Sequence, residues 1–215
     1  MTGTDMVSTP ASLSADGHTR RPACVDGSER RDLMASVAIV GEGPGGLSAA
    51  LFLAKNGHTV TVFGTDQTAM NHAYLHNYLG IPEIAGTSFQ RIAKRQVAAF
   101  GATLREEQVI SITIGDGFVV TTESGSITVD YLILTEGKNP MLARSLGLAE
   151  DETGVIRVDR DYRSSLGRVY VLGRSARPQR SQAIISAGAG ATAALDILAL
   201  EAGSDVQDWD TPPEK

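Results

Sequence analysis

The sequence predicts an α/β fold: a doubly wound, Rossmann-like parallel sheet with an inserted antiparallel β-meander. Three observations carry that expectation. An apolar strand, a glycine-rich turn, an amphipathic helix and a second strand follow one another within Ser36 to Thr65. Three segments that alternate apolar and polar residues lie between Val109 and Val129, separated by Asp116-Gly117 and Ser124-Gly125. Two unbroken apolar runs, YLILT from Tyr131 and RVYVLG from Arg168, suit parallel strands covered on both faces.

Taken in order, residues 1–34 are rich in Ser, Thr, Asp, Gly and Arg without periodicity and read as a tail, with Cys24 and His18 in it. Residues 35–202 read as one folded domain and 203–215, with Trp209 and Pro212-Pro213, as a second tail. The domain opens with a strand at Val37 to Val40, a helix from about Gly45 to Asn56 and a strand at Thr59 to Phe63. A polar, aromatic loop follows from Asn71 to Gly80. Thr87 is placed to cap a helix from about Ser88 to Phe100, with Arg91, Lys94 and Arg95 on its solvated face and Gly101 at its end. A short strand near Thr103 to Arg105 comes next, then the meander segments Val109 to Ile114, Phe118 to Thr122 and Ser126 to Val129. Beyond YLILT, Asn139 to Gly147 reads as a helical turn behind Pro140, Gly154 to Asp159 as a brief strand, and Asp159 to Tyr162 as a charged surface turn. After RVYVLG, an Ala/Ile/Leu-rich helix from Gln182 to Ala202 is expected to pack beside the glycine turn.

At 215 residues, with 42% apolar and 20% charged, the chain can bury one sizeable core. A net charge of −6 argues against a nucleic-acid partner or an acidic membrane surface. The single cysteine excludes an internal disulfide, a Cys-x-x-Cys pair and a cysteine-based metal site. No apolar run reads as long enough to span a bilayer, and the N-terminus has no apolar core of the signal-peptide kind, so the default expectation is the cytoplasm.

The chemistry concentrates in Gly41-Glu42-Gly43-Pro44-Gly45-Gly46, a G-x-G-x-x-G between strand and helix. Gly41 permits the tight turn, Gly43 has no Cβ to hold off a pyrophosphate, and Gly46 lets the helix approach the sheet. The helix start, opened by Pro44, offers the free N–H groups of the residues after it, from Gly45 on, and a partial positive charge to a phosphate. Where this unit often carries a ribose-binding acid the chain has Gly64. Asp66 is the nearest carboxylate along the chain, to be read as a ribose ligand or as a turn residue. Asn77 and Tyr78, next to Gly80, suit hydrogen bonding and stacking on a flat ligand. His72 and His76 are four apart, but no third His or Cys lies near them, so no metal is expected. His76 is the one candidate for a proton donor, because an unperturbed imidazole titrates near neutrality; the alternative is a histidine that only packs.

With these residues on the page, the chain resembles the FAD half of the thioredoxin-reductase branch of the pyridine nucleotide-disulfide oxidoreductases, from about Val37 to Glu201. The glycine turn is similar to that family's pyrophosphate loop, and His76-Asn77-Tyr78-Leu79-Gly80 to its stretch beside the isoalloxazine. The meander and YLILTEG resemble the segment ending in Ala-Thr-Gly, here Thr135-Glu136-Gly137, and RVYVLGR resembles the strand ending in Gly-Asp, here Gly173-Arg174. Ser181-Gln182-Ala183 and the Ala-Gly-Ala-Gly that follows are similar to the start of a helix that aims its N-terminus at the flavin pyrimidine. The resemblance implies FAD as cofactor, held by Gly41, Gly43, Pro44, Gly45, Gly46, Asp66, Asn77, Tyr78, Val109, Glu136, Gly137, Gly173, Arg174, Ser181, Gln182 and Ala183. It also implies NAD(P)H or a redox partner, small molecule or protein, as the source of electrons, and a homodimer.

Three departures bound the resemblance. About fifteen residues separate Gly137 from Gly154, too few for the family's separate NADPH-binding unit. Without a second cysteine, the dithiol route to thioredoxin is closed. Arg174 stands where the family has an acid holding the ribitol, and an arginine donates hydrogen bonds but accepts none. The expectation is therefore a flavoprotein oxidoreductase without a family-type dithiol. A non-enzymatic flavin binder or partner-dependent subunit, and an NAD(P)-binding Rossmann domain, stay open beside it.

Overall fold

Parallel pairing between strands distant in sequence sets the architecture. A computed structural model describes residues 34–212; the expected N-terminal tail, with Cys24 and His18, lies outside the described residues except for Met34, as do residues 213–215. In chain order, β1 (Ser36–Val40), α1 (Pro44–Lys55) and β2 (Thr59–Gly64) form the first unit. The two-residue strands β3 (Tyr74–Leu75) and β4 (Ile84–Ala85) pair with each other and lead into α2 (Gly86–Ala99) and β5 (Thr103–Glu106). The meander is β6 (Ser111–Gly115), β7 (Gly117–Thr122) and β8 (Gly125–Val129), antiparallel throughout. Then come β9 (Tyr131–Leu134), α3 (Met141–Ser145), β10 (Val169–Val171) and α4 (Ala183–Ala202).

The main sheet has the order β10-β9-β1-β2-β5, with every pair parallel. Period-two alternation sends its side chains to two cores. Val37, Ile39, Val60, Val62, Tyr131, Ile133, Tyr170 and Leu172 face a layer containing α1 and α4, where Leu47, Leu53, Ala193 and Ile197 complete the packing. Ala38, Val40, Phe63, Leu132, Leu134, Val169 and Val171 face the meander and α3, meeting Ile112, Val120, Val129, Leu142 and Ile156. A sheet covered on both faces needs apolar residues at every position, which is why β9 reads YLIL with all four buried.

Helix α4 packs along α1 through small residues. A Cβ on Gly190 would lie 2.9 Å from Ala49 N and 3.0 Å from Gly45 C, with the Gly45 carbonyl oxygen closer still. A Cβ on Gly45 would in turn meet the Ser186 carbonyl oxygen at 3.1 Å. Backbone therefore touches backbone, and the start of α4 is drawn against the start of α1. Behind the sheet, the Arg163 guanidinium forks onto Asp196 of α4, which also accepts the Tyr170 hydroxyl. Lys55 at the end of α1 pairs with Asp208 and Asp210, so the segment after α4 is tied to the domain.

Several expectations are corrected. Thr87 does not cap α2: the helix begins two residues earlier at Gly86, where the Ala73 carbonyl accepts the Gly86 N–H and leaves no room for a side chain beside Met70. Gly154 to Asp159 forms no strand; Asp151 folds it into a turn by accepting the Thr153 and Val155 N–H groups, leaving one isolated bridge between Glu150 and Ile156. Lys94 is not on a solvated face but is paired with Glu42 and Asp66. Tyr162 of the charged turn packs against the helical core, with Arg177 over its ring. Among the described residues one helix, α4, is long and apolar enough to cross a membrane by length and composition, contrary to the sequence reading; it packs along α1.

Candidate functional site

The carboxyl ends of β1, β2 and β9 open onto one cleft of about 1030 Å³, large enough for an extended organic ligand. Its floor is the glycine turn. Gly41 has φ +105°, a conformation that L side chains rarely adopt, and its N–H donates to Phe63 O so that the turn is stitched to β2. A Cβ on Gly46 would lie 3.0 Å from Thr135 Cγ2, 3.1 Å from Ile39 Cγ2 and closer still to Gly41 O, so α1 can rest this near the sheet only with glycine there. At Gly43 the situation is reversed. The nearest atom to a Cβ is Thr68 Oγ1 at 3.7 Å, so the missing side chain leaves space in the cleft rather than relieving a clash. Helix α1 starts with Pro44 at its first turn and no side-chain cap, which leaves its early N–H groups directed at that space.

The second helix terminus at the cleft belongs to α4. Gln182 is its N-cap, with no side-chain cap bond, and Gln182 Oε1 accepts from Asn77 Nδ2 at 3.2 Å. Ser181 Oγ accepts from Arg174 Nε at 3.2 Å, which holds the guanidinium beside the same helix start. The Glu136 carboxylate is turned away from this end and caps α3, accepting the Leu142 and Ala143 N–H groups at 2.8 and 3.1 Å. Burial raises the Glu136 carboxyl above its ordinary range, and those two N–H bonds only partly offset it.

The structure brings together most of the residues singled out in the sequence. Gly41, Gly43, Pro44, Gly45, Val109, Glu136, Gly137, Gly173, Arg174, Ser181, Gln182 and Ala183 all line the cleft. Gly46 lies beneath it as a packing residue. Four residues are elsewhere. Asp66 faces a neighbouring shallower depression, with φ 55° and its carboxylate 3.0 Å from Lys94 Nζ. The Tyr78 ring packs on Phe89 at 5.3 Å, and Asn77 touches the site only through Gln182. His76 is exposed, 3.8 Å from Glu83 and beside the Tyr74 ring, and is not among the residues that line the cleft.

Sequence reasoning missed Glu42, Thr68, Glu107 and Gln108 in the lining. Glu42 is the consequential one: it is buried, and its carboxylate occupies the space above Gly64. A signal for it existed in the sequence, since an ionisable residue inside a glycine turn that needs none calls for a partner. Arg105 and Glu107 form an ion pair at the cleft edge, and Glu107 is held below the usual carboxylate range by its bond from Thr122 and then by Arg105.

Comparisons with known proteins agree with this geometry. Residues 35–80 match the family model of the pyridine nucleotide-disulphide oxidoreductases, a segment that contains β1, the glycine turn, α1 and β2. A thioredoxin reductase from Gloeobacter violaceus superposes with a TM-score of 0.74 at 17% identity, covering 83% of this chain and 99% of that one. The atypical thioredoxin reductase TRi from Desulfovibrio vulgaris Hildenborough gives 0.73 at 17% identity, covering 79% and 99%. The T. acidophilum thioredoxin reductase gives 0.66 at 17%, covering 78% and 97%. At these identities the likeness is one of fold: the chain has the Rossmann-like fold of thioredoxin reductases. No curated protein matches the chain.

Proposed function

We propose that the chain is a flavoprotein oxidoreductase of thioredoxin-reductase type that binds FAD through the glycine turn and α4 and works without a redox dithiol. The observation that carries this reading is one cleft onto which two helix N-termini open, α1 at the glycine turn and α4 at Gln182. A dinucleotide has anionic phosphates in its middle and a redox-active ring at one end, and two positive helix ends suit both. The residues present fit the group. The open face of Gly43 admits a pyrophosphate to the backbone, and Val109 lines the wall of the same space. Gln182, held by Asn77, presents the α4 terminus to the ring end.

FAD, when bound, supplies reversible two-electron redox chemistry. The chain's own residues bind it, orient it and stabilise negative charge. Arg174 stands at the α4 end with its Nε on Ser181, a fixed cation for charge arising on the ring or for the phosphates. With one cysteine in the chain, electrons leave by direct transfer to an acceptor rather than by exchange with a protein dithiol. NAD(P)H, or a partner protein, is the proposed donor.

The experiment is an absorbance spectrum of freshly purified protein with added FAD, repeated anaerobically with NADPH and NADH. A flavin spectrum that bleaches on addition of either nicotinamide is expected of a self-sufficient oxidoreductase. Flavin that binds but stays oxidised leaves a binder or a partner-dependent subunit. Protein that is colourless and takes up no FAD refutes the reading.

A further inference from the structure

A carboxylate has changed places in this chain. The usual site of the ribose-binding acid, the end of the second strand, is Gly64, and the glycine turn carries Glu42 instead. The two positions meet in space. An ideal Cβ on Gly64 would lie 2.5 Å from Glu42 Oε2 and 2.7 Å from Glu42 Cγ, with Cδ nearer still. Glu42 therefore fills the volume that a side chain on residue 64 would occupy, and a side chain there would displace the carboxylate from its bonds.

The carboxylate is built in. It is 8% exposed and lines the cleft beside Phe63, Gly64 and Thr65. Oε1 accepts the Asp66 N–H, Oε2 lies 2.7 Å from Lys94 Nζ, and the buried Gln90 amide donates to the Glu42 carbonyl at 2.7 Å. Burial by itself would lower the Lys94 ammonium, but its bonds to Glu42 and Asp66 outweigh that and hold it above its ordinary value. Lys94 thus stays charged at neutral pH, with its ammonium on the Glu42 carboxylate. A carboxylate has about four acceptor sites, and the Asp66 N–H and Lys94 take two of them. Two acceptor sites remain for donors in the cleft. Asp66, the nearest carboxylate along the chain after Gly64, is spent on Lys94 and lies outside the main lining.

We propose that Glu42, held by Lys94 and the Asp66 amide, accepts both hydroxyls of the adenosine ribose of the bound dinucleotide, in place of an acid at the end of β2. The assignment rests on the dinucleotide reading above. It makes Glu42 a specificity residue for a free vicinal diol and makes Gly64 a steric requirement of the exchange.

The test titrates the full-length chain with FAD and with an FAD analogue lacking both adenosine hydroxyls, following binding by calorimetry and flavin fluorescence. The wild-type protein should prefer FAD by about tenfold or more, the scale of hydrogen bonds to a charged acceptor. Glu42→Gln and Glu42→Ala should weaken FAD by about tenfold while leaving the analogue nearly unchanged, so that the preference disappears. In the double variant Glu42→Ala/Gly64→Glu the new side chain enters the vacated volume, and the preference should return. A wild-type protein that binds FAD and the analogue equally overturns the proposal and leaves the flavoprotein reading intact. Equal weakening of both ligands in the Glu42 variants also overturns it, since that result belongs to a residue that only shapes the loop. Should the single variants fail to fold, the double variant decides: no diol preference there counts against the exchange. A chain that binds neither ligand removes this assignment together with the dinucleotide reading.

Discussion

Replacing Gly190 by alanine separates two effects that a glycine in a helix normally confounds. Alanine is favoured over glycine in a helix interior by about 1 kcal/mol. At Gly190 the added methyl would sit 2.9 Å from Ala49 N and 3.0 Å from Gly45 C, against α1 backbone that has no side chain to rotate away. Restoring ordinary contact with the nearest atom, the Gly45 carbonyl oxygen, moves the helices apart by about 1 Å, which forfeits about half of the dispersion well along the seam. Overpacking of this kind costs about 1–3 kcal/mol, and the rigid partner puts Gly190 at the upper end. Set against the helix gain, the net loss is about 2 kcal/mol, or roughly 4–8 °C in Tm for a chain of this size. Gly188, two residues earlier on the same helix, has nothing within 4 Å of a Cβ. Gly188→Ala should therefore raise Tm by about 1–4 °C. Thermal and urea unfolding of the two variants side by side make the measurement. If Gly190→Ala is as stable as Gly188→Ala, the claim that backbone contact sets the spacing of α1 and α4 is wrong. Because that spacing positions both helix termini at the cleft, Gly190→Ala should also weaken FAD binding while Gly188→Ala should not.

Three further outcomes are expected. Gly43→Val should fold with near-normal Tm, because only Thr68 Oγ1 lies within 4 Å of the new Cβ, yet lose FAD in a flavin-retention assay. His76→Ala should leave both FAD affinity and the pH profile of flavin reduction unchanged, since the imidazole is exposed and lies outside the cleft lining; a shifted profile would return His76 to the chemistry. Asp130 is held below the usual carboxylate range by Ser36, whose hydroxyl and N–H both donate to it at 2.7 Å. A depressed folded-state pKa contributes stability that is present above the unfolded value of about 3.9 and is lost as pH falls through the folded value. Asp130→Asn should thus lower Tm at neutral pH and flatten its fall in acid; an unchanged acid limb would remove Asp130 from the linkage.

The fold was legible because its signals are local. Strands that must be apolar on both faces, a helix opened by glycines and hairpins marked by Asp-Gly and Ser-Gly each leave a pattern within a few residues, and β1, β2, β9 and α4 lie within one residue of where those patterns put them. The glycine turn was legible for the same reason: its spacing is dictated by backbone geometry within one loop. What sequence determined by itself was therefore the class of fold and the location of the glycine turn at the end of β1. Tertiary structure decided everything that depends on two distant segments arriving at one point. It turned Lys94 from a solvated charge into the partner of Glu42, directed Tyr78 onto Phe89, set Gly190 against Gly45 and carried the Glu42 carboxylate into the space that Gly64 leaves vacant. The physical reason is range: a helix or turn is specified by neighbours in the chain, whereas the place of a charge or a methyl-sized gap is specified by whatever packs across from it.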